Sequence, residues 1–148
     1  MKRYLLFLTA LALLLSACST IAGSQLSTAR NRWQAAHIGH YRYSLRVACF
    51  CAFSDRMPLT VEVQSGHVVS MAYRDGTPVL PQDQPTFASY QTLDALFQFT
   101  DESIRQAQSS QVSYDPTYGF PTNVQLDFSQ NVADDELTVS VGDFQPLP

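Results

Sequence analysis

The chain has 148 residues, 45% hydrophobic and 15% charged, with a formal charge of −4. That length holds one domain with a real core. Loss of Lys2 and Arg3 with the leader described below takes the charge to −6 and leaves no lysine, so partners held by basic patches, nucleic acid and anionic headgroups among them, are not expected.

Residues 1–17 start basic with Lys2 and Arg3, continue as an apolar run over 4–15, and end at Leu15-Ser16-Ala17-Cys18. This is the layout of a secretory signal peptide, too short for a spanning helix. Its ending resembles the bacterial lipobox, which implies cleavage before Cys18, a thioether-linked diacylglycerol on the Cys18 sulfur and a further acyl chain on the new amino group. Two or three chains anchor stably where one is marginal. Ser19 resembles the default outer-membrane sorting signal of a Gram-negative cell, so the expected location is the cell envelope, facing the periplasm in such a host. Residues 18–26 read as the lipidated cysteine and a tether, about eight residues reaching no more than ~30 Å. Residues 27–148 read as the domain.

Ser27 or Thr28 can cap a first helix, in which Leu26, Ala29, Trp33 and Ala36 form one apolar stripe and Gly39 supplies the stop. His37 and His40 stand i, i+3 at its end. Two such histidines can share a metal, and they equally suit the helix dipole; no third ligand lies nearby in sequence. Residues 41–51 alternate, with Tyr41, Tyr43, Leu45, Val47, Cys49 and Cys51 on one face and Arg42, Ser44 and Arg46 on the other. A second strand over 58–64 turns Leu59, Val61 and Val63 inward. Ser65-Gly66 makes a hairpin turn into a third strand over 67–74. Two registers are open there: a two-residue turn selects Val68 and Ala72, whereas a glycine bulge selects Val69, Met71 and Tyr73, the bulkier set and the one expected.

Residues 75–90, with Pro78, Pro81 and Pro85, read as an irregular crossover. Thr92 caps a longer helix with Leu93, Leu96, Phe97, Thr100, Ile104 and Ala107 inward, and Asp101 and Arg105 form an i, i+4 pair outside. Next come a strand over 112–115 and the corner Tyr114-Asp115-Pro116-Thr117-Tyr118-Gly119-Phe120-Pro121. Asp115-Pro116 suits a type I turn, and Gly119 can take the left-handed conformation that returns the chain. A strand over 122–128 with Val124, Leu126 and Phe128 inward and a last strand with Leu137, Val139 and Val141 inward complete the chain. The order helix, strand, strand, strand occurs twice. It predicts an α+β fold: an antiparallel sheet of about six strands, two helices on one face and an αβββ pseudo-repeat. In such a repeat Cys49-Phe50-Cys51 and Tyr114-Asp115-Pro116 hold equivalent places, and a composite site at one end of the sheet is expected.

The lipobox, a tryptophan-bearing first helix, C-x-C at Cys49 and Cys51, the hairpin Gly66, Y-D-P-x-Y-G-x-P over 114–121, Asp127 and the Asp135-Glu136 pair together resemble a family of bacterial lipoproteins of unknown function, domain of unknown function 6174. The resemblance covers nearly the whole mature chain. It implies a fold and a location, with no activity, cofactor or site residue to carry over.

Cys49 and Cys51 are the only thiols left once Cys18 is lipidated, in a compartment that oxidises. On a regular strand their Cα atoms would stand about 6.6 Å apart, so a bridge needs a bend. A disulfide, two buried thiols and a soft-metal site recruiting Met57 or His37 all stay open. At Tyr114, Asp115, Tyr118 and Phe120 a packed turn and a ligand or partner surface are both open. Asp127 and the Asp134-Asp135-Glu136 cluster lack the spaced ligands of a calcium loop. No catalytic grouping or phosphate loop is visible, so no enzyme and no cofactor is expected. Two function classes follow. One is a lipid-anchored, non-enzymatic module binding an envelope protein, peptide or small ligand; the other handles redox equivalents or a soft metal through Cys49 and Cys51.

Overall fold

Alternation along the strands and a 3.6-residue stripe along the helices decide which residues share a face, and the tertiary structure follows from joining those faces. A computed structural model describes residues 23–129, 131–132 and 134–148; the expected leader and the lipidation at Cys18 lie outside them. In chain order the elements are α1 (23–35), β1 (His40–Ala48), β2 (Leu59–Gln64), β3 (His67–Ala72), α2 (Leu93–Gln106), β4 (Ser109–Tyr114), β5 (Pro121–Asp127) and β6 (Leu137–Pro146). The expected α+β fold is present, and the αβββ order occurs twice. All neighbouring strands are antiparallel in one sheet of order β3-β2-β1-β6-β5-β4. No helix among the described residues is long and apolar enough to cross a membrane.

Tyr41, Tyr43, Leu45 and Val47 of β1 meet Leu59, Val61 and Val63 of β2 and Val139 and Val141 of β6 in one buried layer. Both helices cover that layer. α2 inserts Leu93, Leu96, Phe97 and Thr100, with the Thr92 hydroxyl accepting from the Ala95 N–H at 3.0 Å as its cap. Leu26, Ala29 and Trp33 are the buried stripe of α1. The Trp33 ring stands edge-on to Tyr41 at 5.4 Å, its Nε1 donates to Asp94 at 3.2 Å, and Arg30 donates to the Phe97 carbonyl at 3.0 Å, so α1 is tied to both β1 and α2. The Tyr41 hydroxyl accepts from the Leu93 N–H and the Tyr43 hydroxyl donates to the Tyr90 carbonyl. Burial pushes Tyr41 up to about 12 and Tyr43 well above its ordinary 10, so both phenols keep their protons.

Several expectations need correction. Residues 23–26 are helical and Leu26 is buried, so the folded domain includes residues that the sequence placed in the tether. Ser27 and Thr28 do not cap α1; their hydroxyls donate to the Ser24 carbonyl within it. The left-handed residue after α1 is His37 (φ 50), whereas Gly39 has no positive φ. The hairpin combines both registers: Ser65 and Gly66 form a two-residue turn that pairs Val63 with Val68, then β3 carries an extra residue before Met71 meets Val61. Val68 and Met71 therefore both face inward, and Val69 is 53% exposed. Phe128 lies beyond the end of β5 and is exposed.

A second bulge was not anticipated. Between the pairs Ser44 with Gly142 and Arg42 with Gln145, Tyr43 alone faces Asp143 and Phe144. Asp143 takes a φ of 51, which flips the alternation and turns Phe144 toward the helices.

Gly119 is the tightest backbone contact in the corner after β4. Its φ is +86, and a Cβ there would fall on the Ala29 carbonyl oxygen of α1. Gly66 has a similar φ of +79 with open space around it. Urea unfolding should show Gly66→Ala costing about 1–2 kcal/mol from the left-handed backbone alone, and Gly119→Ala roughly 2–5 kcal/mol, because overpacking adds to it. Equal losses at the two positions would refute the close approach of corner and helix.

Candidate functional site

The register sets two ends of the sheet. One carries the start of β1 at His40 and Tyr41, the hairpin at Gln64 and His67, and Tyr114 paired with Pro121; the other carries Ala48, Leu59, Ala72, Ser109 and Asp127. Because order and alternation make β4 run opposite to β1, the cysteine motif that follows β1 and the tyrosine corner that follows β4 lie at opposite ends. The expected composite site does not form.

At the tyrosine end the corner is a clasp. Asp115 Oδ1 accepts from the N–H groups of Thr117 at 2.9 Å and Tyr118 at 2.6 Å, while its own N–H donates to the Phe120 carbonyl at 2.8 Å. Phe120 is buried, 6.1 Å from Trp33 and 4.6 Å from Phe144, and Tyr118 packs on Phe144 at 5.3 Å. Arg32 of α1 donates to the Pro116 carbonyl at 3.0 Å. Phe120 is thus removed from any partner surface, and Asp115 is occupied by its own turn. Tyr114 stays half-buried and lines a cavity of about 410 Å³ with Ser24, Gln25, Thr28 and Arg32. Burial pushes its phenol up to about 12, against a smaller pull downward from Arg30. Phe144, central to this cluster, was missed by the sequence reading; the Gly142-Asp143 pair inside an alternating run is the signal that marks the bulge.

At the other end β1 stops at Ala48, and the chain bends so that Cys49 and Cys51 form a disulfide with Cα atoms 5.2 Å apart. The Cys51 N–H donates to the Cys49 carbonyl at 2.8 Å, and the Ser54 hydroxyl shares its hydrogen between the carbonyls of Cys49 at 2.9 Å and Cys51 at 2.8 Å. Phe50, the one residue between the bridged cysteines, is 88% exposed. The segment that follows the bridge helps line a cavity of about 240 Å³, with Phe53, Arg56, Tyr73, Asp83 and Phe87 in its wall. Its wall is stiffened by the Phe53–Phe87 edge contact at 5.0 Å and by the Arg56 guanidinium 3.3 Å from the Tyr73 ring centre.

The other candidates separate in space. Met57 is buried in the core, and His37 is exposed at the tyrosine end, away from the cysteines. His37 and His40 do not converge on a common ligand: His40 Nδ1 faces the Pro148 carbonyl at 2.8 Å and Nε2 faces Glu62 at 3.1 Å. Among the described residues, no group of three or more His, Cys, Asp or Glu is placed to hold a metal ion. Asp127 and Asp135 sit at the cysteine end, each with Oδ1 shielded from water and without a hydrogen-bond partner among the described residues.

With acceptors on both sides, only the protonated His40 ring satisfies both contacts. The Pro148 carbonyl first, then Glu62, raise its pKa above the ordinary 6.5. The stabilisation from this raised value is complete below the unfolded pKa and is lost as pH rises through the folded one. An NMR titration should put the imidazole above 6.5, and the stability difference between the native chain and His40→Asn should shrink as pH rises from the unfolded histidine's value through the raised folded one. A difference that grows with pH would contradict the pairing of His40 with Glu62 and the Pro148 carbonyl.

Comparison with curated proteins and with solved structures gives no match. A family model matches residues 25–146, from the first turn of α1 to the last residue of β6 and through both sheet ends. The chain therefore belongs to the family of unknown function DUF6174.

Proposed function

We propose that the chain is a lipoprotein of a bacterial envelope, anchored through Cys18, and that its domain is a non-enzymatic module that binds a protein or peptide through the apex at Phe50. The observation that carries this reading is the exposure of Phe50. Burying such a side chain is worth about 1.5–3 kcal/mol, yet a covalent bridge and two hydrogen bonds from Ser54 hold the backbone in a form that keeps it 88% in solvent. Aromatic side chains held in this way are typical anchors of recognition.

Two further facts support the location. A disulfide persists in an oxidising compartment, which agrees with export by the leader. The start of α1 shares a cavity with Tyr114, so the tether leaves the domain at the tyrosine end. Residues 19–22 then span at most about 17 Å between Cys18 and residue 23, and the apex points away from the bilayer. The favoured contact surface accordingly moves from Tyr118 and Phe120, which are engaged in packing, to the cysteine end.

A redox role for Cys49 and Cys51 is the second reading, favoured by the partial exposure of both residues. An incoming thiolate would attack one sulfur, break the bridge and leave the other cysteine as a thiolate. A soft-metal role would require the same reduction first.

Intact mass of the envelope-extracted protein should equal residues 18–148 plus acyl chains, and Cys18→Ala should leave the membrane fraction. A photoreactive phenylalanine analogue at position 50 should crosslink a discrete partner, while the same group at Val69, also exposed, should not. Phe50→Ala should weaken that complex by at least ~2 kcal/mol. Loss of function in Cys49→Ser/Cys51→Ser with full function in Phe50→Ala would select the redox reading instead.

A further inference from the structure

The cavity of about 240 Å³ walled by Phe53, Arg56, Tyr73, Asp83 and Phe87 also takes in Thr86, and it holds two opposite charges that the fold leaves unpaired. The Arg56 guanidinium lies 3.3 Å from the ring centre of Tyr73, itself a buried residue. Stacking of this kind fixes the plane of the fork and leaves its edge open; the side-chain N–H groups of Arg56 donate to no described residue. Asp83 stands just before the short helical turn Gln84–Phe87, and its side chain makes no capping hydrogen bond there. No ion pair joins Arg56 and Asp83 among the described residues. Asp75 is near enough to interact with the Arg56 charge, but its carboxylate accepts from the Thr77 N–H at 2.9 Å. Arg56, Asp83 and Thr86 are all exposed, so a ligand can reach each of them.

The wall narrows the ligand. A guanidinium fork matches a carboxylate through two parallel hydrogen bonds, a carboxylate accepts from an ammonium, and a hydroxyl does either. A simple anion would be drawn to Arg56 and repelled by Asp83; a simple cation would meet the reverse. Only a molecule carrying both signs satisfies the two together. The remaining wall is apolar, with Phe87 buried, Phe53 half-buried and their rings in edge contact at 5.0 Å, which suits a hydrocarbon side chain. The volume falls below the roughly 300–1,000 Å³ of pockets for drug-sized ligands. Both charges and the apolar group therefore belong to one small molecule.

We infer that this cavity binds a free α-amino acid with an apolar side chain, its carboxylate on Arg56, its ammonium on Asp83 and its side chain against Phe53 and Phe87. The inference rests on these four residues and does not depend on the role proposed for Phe50.

The test is a ¹H–¹⁵N NMR titration of the purified full chain with three probes: L-phenylalanine, 3-phenylpropanoate, which lacks the ammonium, and 2-phenylethylamine, which lacks the carboxylate. L-phenylalanine should shift resonances confined to residues 52–56, Tyr73 and residues 83–87. It should bind about tenfold or more tightly than either analogue, the worth of one charged hydrogen bond. Asp83→Asn should weaken L-phenylalanine by a similar factor and leave 3-phenylpropanoate no weaker, whereas Arg56→Gln should weaken both. Asp83 is exposed and caps nothing, so its variant reports on binding even if Arg56→Gln, which loses the Tyr73 stack, disturbs the fold. Glu102→Gln, an exposed carboxylate of α2, should change no affinity. Equal binding of either analogue would overturn the assignment to a zwitterion. Absence of shifts with L-phenylalanine at millimolar concentration, or indifference to both substitutions, would overturn the site itself.

Discussion

Packing of Trp33 against the end of the sheet is the constraint on which the rest of the fold depends. Its ring makes edge contacts with Tyr41 of β1, Phe120 of the corner and Phe144 of β6, at 5.4, 6.1 and 6.0 Å. Those three residues come from chain segments far apart in sequence, so one side chain joins both halves of the domain. Aromatic pairs at such distances add about 0.5–1.5 kcal/mol each beyond their burial. The cluster depends on two backbone features. Gly119 lets the corner approach the α1 backbone, and the bulge at Asp143 turns Phe144 to the covered face. Without the first the corner stands off the helix; without the second Phe144 points into water.

The sheet order has a consequence that element order alone conceals. Each half contributes a meander, but β1 and β6 share the centre while β3 and β4 take the edges. The first strand of one half is therefore central and the first strand of the other is peripheral and reversed. Motifs in equivalent positions along the sequence, Cys49-Phe50-Cys51 and Tyr114-Asp115-Pro116, part to opposite ends of the molecule. One edge is covered: the Val79 N–H donates to the Met71 carbonyl and the Tyr73 N–H to the Thr77 carbonyl, each at 2.9 Å. The residues of β4 are exposed or half-buried throughout.

Alternation and helical stripes made much of this legible in the sequence. Tyr41 to Val47, Leu59 to Val63 and the Thr92-capped α2 are where their patterns place them, because each segment has one period and one buried face. What escaped the sequence lies where that period is broken. An extra residue at Val69 and another at Asp143 each invert the face of everything that follows, and a local pattern has no means of counting residues on the partner strand. Strand order was equally hidden, since both central strands see similar neighbours whichever half supplies them. The Cys49–Cys51 bridge stayed open for a geometric reason: the Cα spacing of a regular strand disfavours it, and only the bend after Ala48 brings the atoms to 5.2 Å.

The stabilising aromatic cluster and the proposed recognition surface occupy different ends of the molecule for a physical reason. At the tyrosine end α1 lies over the sheet, and Tyr118 and Phe120 of the corner find ring partners there, so a surface that also had to release a ligand would loosen the domain with each exchange. At the cysteine end β1 runs out, and the turn that follows is closed by a covalent bond and by the Ser54 hydroxyl. Such closure needs no apolar burial. It leaves Phe50 uncommitted while restricting the backbone that carries it, which lowers the ordering cost of any contact it makes. Substitutions among Trp33, Phe120 and Phe144 should therefore act through folding, and substitutions at Phe50 should act on association while leaving the unfolding transition where it is.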